Sequence, residues 1–257
     1  FRKFEKSTYR QSDAVTVISK ELEENVKKKI EGIKNPPIVK IIPNFLISPS
    51  IEPENRFTKY REEKKLGNKL VVMYAGNLGN SQSFDLIIQT AVKHRDRDDL
   101  VYVINGNGVM YEGLKKQADK LENLLVVGYQ PIELLSEVLS TADIHLLLLK
   151  AGLGNVSVPS KIYSILAAGR PVVASVDQDT EISRIIIESK GGVVTPADDL
   201  DSFTMAIEKL LDDSELREKM GSNGRLWIER WHSSQDIAEL YLKLLQELNS
   251  STGGQNI

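Results

Sequence analysis

The chain has 257 residues, of which 41% are hydrophobic and 27% are charged, and its formal net charge is −3. Such a composition is typical of a globular protein with a sizeable core, and the charge gives no electrostatic reason to expect nucleic acid as a partner. The sequence contains no cysteine, which excludes disulfides, thiolate nucleophiles and zinc-thiolate sites and agrees with a reducing compartment. No apolar run approaches the roughly 20 residues that a membrane-spanning helix needs.

The first 45 residues contain few predicted elements. Residues 1–11 predict the end of a basic amphipathic helix, whose charges face either solvent, which we favour, or an anionic membrane surface. A buried strand at 14–18, a helix that Ser19 caps and a strand at 38–42 follow. Two strands and one helix are too few for an independent core. Since the sequence also begins in mid-pattern without methionine, we expect residues 1–45 to be the end of a domain that lies mostly upstream.

The remaining residues predict one regular domain. Residues 46–66 predict a linker rich in proline, glutamate and asparagine, followed by a charged lead-in helix. From 67 to 230, apolar runs at 70–74, 100–104, 124–127, 144–149, 172–174 and 192–195 alternate with helical patterns near 84–94, 110–121, 131–140, 160–168, 179–189, 199–212 and 214–230. A helix within 231–250 and a disordered tail at 251–257 are predicted to close the chain. Because continuous Val/Ile/Leu runs mark strands covered on both faces, the pattern predicts a Rossmann-like, doubly wound parallel α/β sheet.

Glycine-rich loops follow the predicted strands of this domain. Tyr74-Ala75-Gly76-Asn77-Leu78-Gly79 follows the first strand, and Asn105-Gly106-Asn107-Gly108 follows the second. Gly128-Tyr129 follows the third strand, and Ala151-Gly152-Leu153-Gly154-Asn155 follows the fourth. Ligands of doubly wound sheets bind outside the carboxyl ends of the strands, so we expect these loops at a binding site. Each loop alone also has a structural explanation, because tight strand-to-helix turns require glycine.

The stretch from Val158 to Ala174 predicts a polar loop, a short helix, a Gly169-Arg170-Pro171 stop and a buried strand. Ser160 and Lys161 open the helix, so free N–H groups, a hydroxyl and an ammonium are expected together, as in phosphate sites. The alternative is a solvated lysine, although the helix dipole mildly disfavours a cation in a first turn. With Tyr129 to pack on a base and the amides of the first glycine-rich loop to meet phosphate, a nucleoside diphosphate is the predicted ligand.

The sequence predicts no metal site. His94, His145 and His232 have no partners at ligand spacing. Asp96-Arg97-Asp98 resembles a metal-binding D-x-D motif but falls in a helix-to-strand turn, away from the predicted site. Asp177-Gln178-Asp179 is better placed, after a strand, but we favour Asp179 as the N-cap of the next helix.

Several segments in order carry a family resemblance. They are Ile42-Pro43-Asn44, Tyr74 to Gly79, Asn105 to Gly108, and Pro159-Ser160-Lys161 through Ala167-Ala168-Gly169-Arg170-Pro171-Val172-Val173-Ala174. Together they resemble the nucleotide-sugar half of the family 4 glycosyltransferases of the GT-B fold, most of all bacterial and archaeal members that build surface polysaccharides and lipid-linked glycans. The resemblance implies two Rossmann-like domains with the active site in the cleft between them. Residues 1–45 would end the acceptor domain, 67–230 would form the donor domain, and 231–250 would cross back.

The resemblance also implies roles for single residues. Lys161 would be the catalytic residue, because its charge stabilises the diphosphate leaving group. Gly76, Asn77, Leu78 and Gly79 would lie against the diphosphate. The remaining donor-binding residues would be Gly128, Tyr129 and Gln130 against the base, Gly154, Asn155, Val156 and Ser160 at the diphosphate and donor sugar, and Asn105, Gly106 and Ser164 beside them.

The chain departs from the family pattern in two places. Many members have an arginine where Asn77 stands and a lysine near Gln82-Ser83, both of which bind the diphosphate. Many also have a pair of glutamates, the second of which holds the ribose; Ser164 stands at that place, and no glutamate precedes it at the matching distance. We interpret the chain as a member of a subgroup that relies on Lys161 and on backbone amides.

The implied function is transfer of a sugar from a nucleoside diphosphate sugar, such as a UDP-sugar, to a glycan or polyprenyl-linked acceptor. The resemblance implies retention at the anomeric carbon, no metal and no cofactor. The alternatives are a GT-B sugar-nucleotide epimerase and a non-catalytic nucleotide-sugar-binding module. The expected location is cytoplasmic, with peripheral contact to the inner face of the membrane through the missing acceptor domain. We expect this fragment alone to be inactive, because most of that domain is absent.

Overall fold

The computed structural model describes residues 2–45 and 51–252. The chain divides into two compact units. The small unit comprises Phe1–Ile47, Asn155–Val158 and Trp231–Ile257, and the sheet unit comprises Ser48–Gly154 and Pro159–Arg230. The predicted linker residues 46–50 and tail residues 253–257 lie outside the described residues.

Strands and helices alternate along most of the chain. The strands are β1 (Ala14–Val17), β2 (Ile38–Ile41), β3 (Leu70–Ala75), β4 (Leu100–Asn105), β5 (Leu124–Val127), β6 (Ile144–Leu148), β7 (Val172–Ser175) and β8 (Gly192–Thr195). The helices are α1 (Arg2–Arg10), α2 (Lys20–Ile30), α3 (Lys59–Glu63), α4 (Phe84–Lys93), α5 (Tyr111–Ala118), α6 (Leu135–Thr141), α7 (Lys161–Ala167), α8 (Glu181–Ser189), α9 (Leu200–Asp212), α10 (Ser214–Ile228) and α11 (Ser234–Thr252). The helix expected at 131–140 begins as a 3-10 turn at Ile132–Leu134, and α11 includes the first two residues of the predicted tail.

The sheet unit contains a six-stranded sheet in the order β5-β4-β3-β6-β7-β8. Every neighbouring pair in it is parallel. β3 pairs with β4 on one side and with β6 on the other, where Val72 lies opposite Ile144 and Met73 opposite His145. The strand order therefore reverses between β3 and β6. This is the doubly wound arrangement, and it confirms the predicted fold class.

Helices cover both faces of this sheet, which explains the continuous apolar runs. Successive side chains of a strand point to opposite faces. In β3, Val72 and Tyr74 pack into one core cluster, whereas Val71 and Met73 pack into another. All four side chains are fully buried. Because both faces of β3 are buried, residues 71–74 are all apolar or aromatic, whereas a strand with one exposed face would alternate with polar residues.

The small unit is built around a parallel pair of strands, β1 and β2. The Ser19 side chain accepts a hydrogen bond from the Leu22 amide at 3.3 Å, which confirms Ser19 as the N-cap of α2. Val17, Val26 and Ile30 form its buried cluster. A second cluster joins Ile42 to α11 through Ile237 and Leu244. Within the described stretches, none of the helices is sufficiently long and apolar to cross a membrane.

Candidate functional site

The point where the strand order reverses places two predicted segments side by side. Gly76 follows β3 directly, and Lys161 begins α7, the helix that follows β6. In parallel sheets the crevice outside the carboxyl ends of such a pair of strands is where ligands bind. The loops after β4 and β5 begin at the same edge, because β3, β4 and β5 are parallel.

A cavity of about 260 Å3 opens at this edge of the sheet unit. The structure brings six of the sequence-predicted residues to its lining: Gly76, Asn105, Tyr129, Gln130, Lys161 and Ser164. A second group of lining residues is apolar and comes mainly from the segment around α6: Ile132, Leu135, Val138, Leu139 and Ile165. The cavity thus has one cationic corner, a few polar groups and an apolar wall, which is typical of small-molecule sites.

The cation is Lys161, whose ammonium is buried and has no hydrogen-bond partner among the described residues. The Nζ atom lies 3.6 Å from the centroid of the Tyr74 ring, in cation–π distance. Burial lowers the pKa of Lys161 from 10.5 to about 7, because the charged form is poorly solvated there. The alternative of a solvated lysine is therefore wrong. A buried ammonium without a partner is stabilised by a bound anion, which supplies the missing hydrogen bonds and the opposite charge.

Gly76 makes room for this ammonium. Its φ of 142° lies in the region that only glycine adopts easily. A Cβ atom at this position would lie 2.8 Å from the Lys161 Nζ and 3.2 Å from its Cε. The Tyr74 hydroxyl donates to the Asn77 carbonyl at 2.7 Å, which holds the ring that Lys161 faces. Glycine at 76 is thus required both by the backbone and by the lysine.

The amides of the first glycine-rich loop are less free than the sequence suggested. Gly76 N–H donates to the Asn105 carbonyl at 2.9 Å, and Leu78 N–H donates to the Asn107 carbonyl at 2.8 Å. A Cβ at Gly106 would lie 1.8 Å from the Gly76 carbonyl oxygen, so the two loops are in direct contact. These glycines therefore pack one loop against the next, and these two amides do not point at an open site.

The rest of this loop also turns inward. Gly79 N–H donates to the Gln82 side-chain oxygen at 3.0 Å, and the Leu78 side chain is fully buried in the core. Asn77 is exposed. Gln82, which stands where the resemblance implies a lysine, is a hydrogen-bond partner of the loop itself. Contact of this loop with a diphosphate stays a prediction, and Lys161 is the cation that the cavity offers.

The loop after β6 is held by two carboxylates, Asp177 and Asp198, in a role that the sequence did not predict. Asp177 accepts hydrogen bonds from Gly152 N–H at 2.9 Å and Gly154 N–H at 3.0 Å. Asp198 accepts from Ala151 N–H at 3.0 Å and from the Ser83 hydroxyl. The signal in the sequence was their position just after β7 and β8, at the same edge as the glycine-rich loop. Gly154 is thus anchored through its amide rather than free to bind a ligand through it.

Asp179 is not the N-cap of α8, contrary to expectation. Thr180 occupies that position, and Asp179 has a left-handed backbone with φ of 58°. Aspartate tolerates this conformation better than most residues do, which explains its presence in the turn.

The first turn of α7 contributes less than predicted to anion binding. Ile162 N–H donates to the Pro159 carbonyl at 3.4 Å, and Tyr163 N–H donates to the Ser160 carbonyl at 3.2 Å. The helix is seven residues long, and Ser160 is exposed at its N-cap. The charge of Lys161, rather than the helix end, is therefore the main electrostatic feature of the site.

Three other predicted residues lie outside the lining of this cavity. Gly128 is half-buried after β5. Asn155 and Val156 are exposed and belong to the segment Asn155–Val158 of the small unit. Their roles toward a donor stay predictions.

The histidines have structural partners. His145 is fully buried in β6, where burial lowers its pKa to about 4 and a ring nitrogen lies 2.9 Å from the Leu139 carbonyl. His94 is also buried, and it contacts the Tyr102 hydroxyl at 2.7 Å and Glu208 at 3.1 Å. Across residues 2–45 and 51–252, no group of three His, Asp or Glu side chains is arranged to hold a metal ion.

Comparison with known proteins finds relatives named as glycosyltransferases by sequence and a matching fold among solved structures. The chain is 28% identical over 211 residues to the probable glycosyltransferase WbjE of Pseudomonas aeruginosa, covering 80% of this chain and 50% of the relative. It is 26% identical over 178 residues to WcaI of Escherichia coli, a putative colanic acid biosynthesis glycosyl transferase, covering 68% of this chain and 42% of the relative. The chain thus spans about half the length of the curated relatives it matches.

A solved structure has the same fold. The Anabaena protein Alr3699/HepE, crystallised in complex with UDP-glucose, matches with a TM-score of 0.78 at 14% identity, over 96% of this chain and 67% of that one. The family model for group 1 glycosyl transferases matches residues 56–227. That range contains the whole six-stranded sheet and every residue that lines the cavity, and the chain therefore belongs to the group 1 glycosyl transferases.

Proposed function

We propose that this chain is the donor-binding part of a retaining glycosyltransferase that works in polysaccharide or glycoconjugate biosynthesis. The donor is a nucleoside diphosphate sugar, and the acceptor is a glycan or a lipid-linked glycan. The name of WcaI, which refers to colanic acid biosynthesis, and the UDP-glucose bound to Alr3699/HepE support these choices. The acceptor residues would come from parts of the protein that this chain does not contain, so turnover is expected only from the full-length enzyme.

The single observation that carries the proposal is the unpartnered ammonium of Lys161 in the cavity. When the bond between the sugar and the diphosphate breaks, the leaving diphosphate gains negative charge. A preorganised cation in a poorly solvated site stabilises that charge far more than water-exposed lysine does. Lys161 therefore binds the diphosphate in the ground state and stabilises it further as it leaves.

The apolar part of the cavity lining suits the nucleoside. Ile132, Leu135 and Leu139 offer an apolar surface to one face of a base. Tyr129 is largely exposed at the rim, where its ring can stack on the base when the ligand binds. The Gln130 amide nitrogen donates to the Gly128 carbonyl at 2.9 Å, so its side chain is held at the rim in a defined position.

No metal or cofactor is part of this proposal. Lys161 supplies the positive charge that a divalent cation provides in other nucleotide sites. Titrations with UDP in EDTA and in Mg2+ are therefore expected to give the same affinity. Affinity that depends on Mg2+ would contradict this part of the proposal.

The test is isothermal titration of this chain with UDP, GDP and ADP. At least one nucleotide should bind, and Lys161→Ala should weaken that binding by about 10- to 100-fold, which corresponds to a hydrogen bond to a charged group. Lys209→Ala is the matched control, because Lys209 is an exposed lysine on α9. Absence of binding by all three nucleotides, or a Lys161→Ala variant that binds as tightly as the original chain, would overturn the proposal.

A further inference from the structure

A second cavity, of about 160 Å3, lies at the edge of the six-stranded sheet opposite to the cavity that Lys161 lines. Its lining includes Asp143, which directly precedes β6, and Arg170 and Pro171, which directly precede β7. Because β6 and β7 are parallel, these residues mark the amino ends of the strands, whereas Lys161 follows a carboxyl end. We call it the arginine cavity, after three residues of its lining: Arg56, Arg170 and Arg217. It is separate from the site described above.

Two of these guanidiniums are held in place by backbone carbonyls. Arg170 donates from Nε and Nη2 to the Ser140 carbonyl, at 3.1 Å and 2.7 Å, and from Nη2 to the Glu54 carbonyl at 2.7 Å. Arg217 donates from Nη1 to two carbonyls in the last turn of α9. A carbonyl orients a guanidinium without neutralising its charge. Both cations are therefore fixed in position and still carry their full charge.

The same side chains keep donors that are not used. Within residues 2–45 and 51–252, Nη1 of Arg170 and both Nε and Nη2 of Arg217 have no hydrogen-bond partner. Ser214, the first residue of the 15-residue helix α10, also lines the cavity, and its amide and hydroxyl have no partner among the described residues. Helix N-termini favour anions, and guanidiniums match the oxygens of a phosphate. The arginine cavity thus combines two independent kinds of donor for one anion.

The carboxylates of the lining leave this positive charge in excess. Asp143 is already paired, with Arg56 at 2.8 Å and with Arg61 at 3.2 Å. The other carboxylate is Glu218, which is exposed and forms no ion pair with a described residue. The remaining two arginines of the cavity therefore have no carboxylate partner in the described part of the chain. Burial lowers the pKa of Arg170, which shows that its charge is incompletely solvated.

We propose that the arginine cavity is a second anion site, which binds a tetrahedral oxyanion of the phosphate class through Arg170, Arg217 and Ser214. Its volume of about 160 Å3, against about 260 Å3 for the cavity at Lys161, suits a single phosphate group rather than a nucleotide. Charge-assisted hydrogen bonds from fixed guanidiniums supply both affinity and orientation. This proposal does not rest on the proposed function, because it concerns a different ligand at the opposite edge of the sheet.

The test is isothermal titration of the Lys161→Met chain with inorganic phosphate at constant ionic strength. That variant lacks the cation of the other cavity, so the titration reports on the arginine cavity alone. We expect one site with a dissociation constant of about 1 mM or tighter. Arg217→Gln in the same background should weaken binding about tenfold, because it removes a charged donor. Absence of phosphate binding to a folded Lys161→Met chain would overturn the proposal.

Glu218→Gln tests the same cavity with a surface change that leaves the carbonyl bonds of the arginines intact. Removal of this carboxylate should strengthen phosphate binding about two- to fivefold, the size of a typical interaction between exposed charges. Glu112→Gln is the matched control, because Glu112 is exposed on α5 and its loss changes the net charge equally. The control should bind phosphate like the parent chain. Equal phosphate affinity of the Glu218 and Glu112 variants would mean that no anion lies beside Glu218, and would overturn the proposal.

Discussion

Two buried cations of the sheet unit differ in what surrounds them. Arg61 of α3 is 2% exposed, and its guanidinium donates to five acceptors: the carbonyls of Arg56, Gly67, Lys69 and Thr141 and the carboxylate of Asp143. Among the residues that the structure describes, the ammonium of Lys161 has only the face of the Tyr74 ring as a partner. Because these hydrogen bonds hold the Arg61 side chain in one conformation, Arg61 connects α3 to the sheet. A buried charge without partners lowers the free energy of unfolding of the free protein, and a bound anion offsets this loss.

The largest expected effect is on the arginine. Arg61→Met should lower the free energy of unfolding by about 3 to 5 kcal/mol, because it leaves several buried carbonyls without partners and removes one of the two arginines that pair with Asp143. Chemical denaturation monitored by circular dichroism measures the change. Arg95→Met is the control, since Arg95 is exposed in a turn. An Arg61→Met chain as stable as the original would remove the contrast between the two cations.

Lys161→Met should have the opposite effect on the free chain. Methionine fills similar space without a charge, so we expect stability to rise by on the order of 1 to 3 kcal/mol at pH 7 while UDP affinity falls about 10- to 100-fold. The pKa of Lys161 is near 7 in the folded chain and 10.5 in the unfolded chain. Between these values the unfolded chain binds more protons, so the stability of the original chain rises with pH.

The gain from methionine should therefore shrink as the pH is raised from 7 toward 10. Thermal melts of the two chains at several pH values, with and without UDP, measure both the change in stability and the change in UDP affinity. Lys209→Met serves as the exposed control. A destabilised Lys161→Met chain would mean that the ammonium has partners in the free protein.

Gly76→Ala should act on the same ammonium from the other side. The added methyl group clashes with Lys161 and strains a backbone with φ of 142°, so we expect UDP affinity to fall about tenfold and stability to fall by about 1 to 2 kcal/mol. Gly113→Ala is the matched control, because Gly113 lies in α5 with nothing near its Cβ position. That change should stabilise the helix by about 0.5 to 1 kcal/mol. Equal UDP affinity of the two variants would contradict the role given to Gly76.

The smallest expected effect is the uptake of a proton when UDP binds. Because the free Lys161 has a pKa of about 7 and a bound diphosphate raises the pKa of a neighbouring ammonium, UDP binding at pH 8 should take up close to one proton. At pH 6 the lysine is already protonated, and uptake should nearly vanish. Titrations in buffers of different ionisation enthalpy measure the uptake, and Lys161→Met should abolish it. Uptake independent of pH would contradict this assignment.

The fold was predictable because its signals are local. The strand runs and the Ser19 cap depend on neighbouring residues, and the structure has both. The position of Lys161 was also visible in the sequence. Its burial was not, because the Tyr74 ring and the open side of Gly76 lie far from it along the chain. The role of Asp177 was not predicted for the same reason: the amides that donate to it belong to another loop. The prediction that Asp179 is the N-cap of α8 was wrong because aspartate is favourable both at an N-cap and in a left-handed turn.

Gly76 and Lys161 also limit which residues can occupy each other's positions. The space that a Cβ at position 76 would need is filled by the lysine, and the backbone there favours glycine even without it. A larger residue at position 76 is therefore expected to require loss of the lysine first. A relative can lose the lysine and keep the glycine, but a relative that keeps the lysine is not expected to have any other residue at position 76.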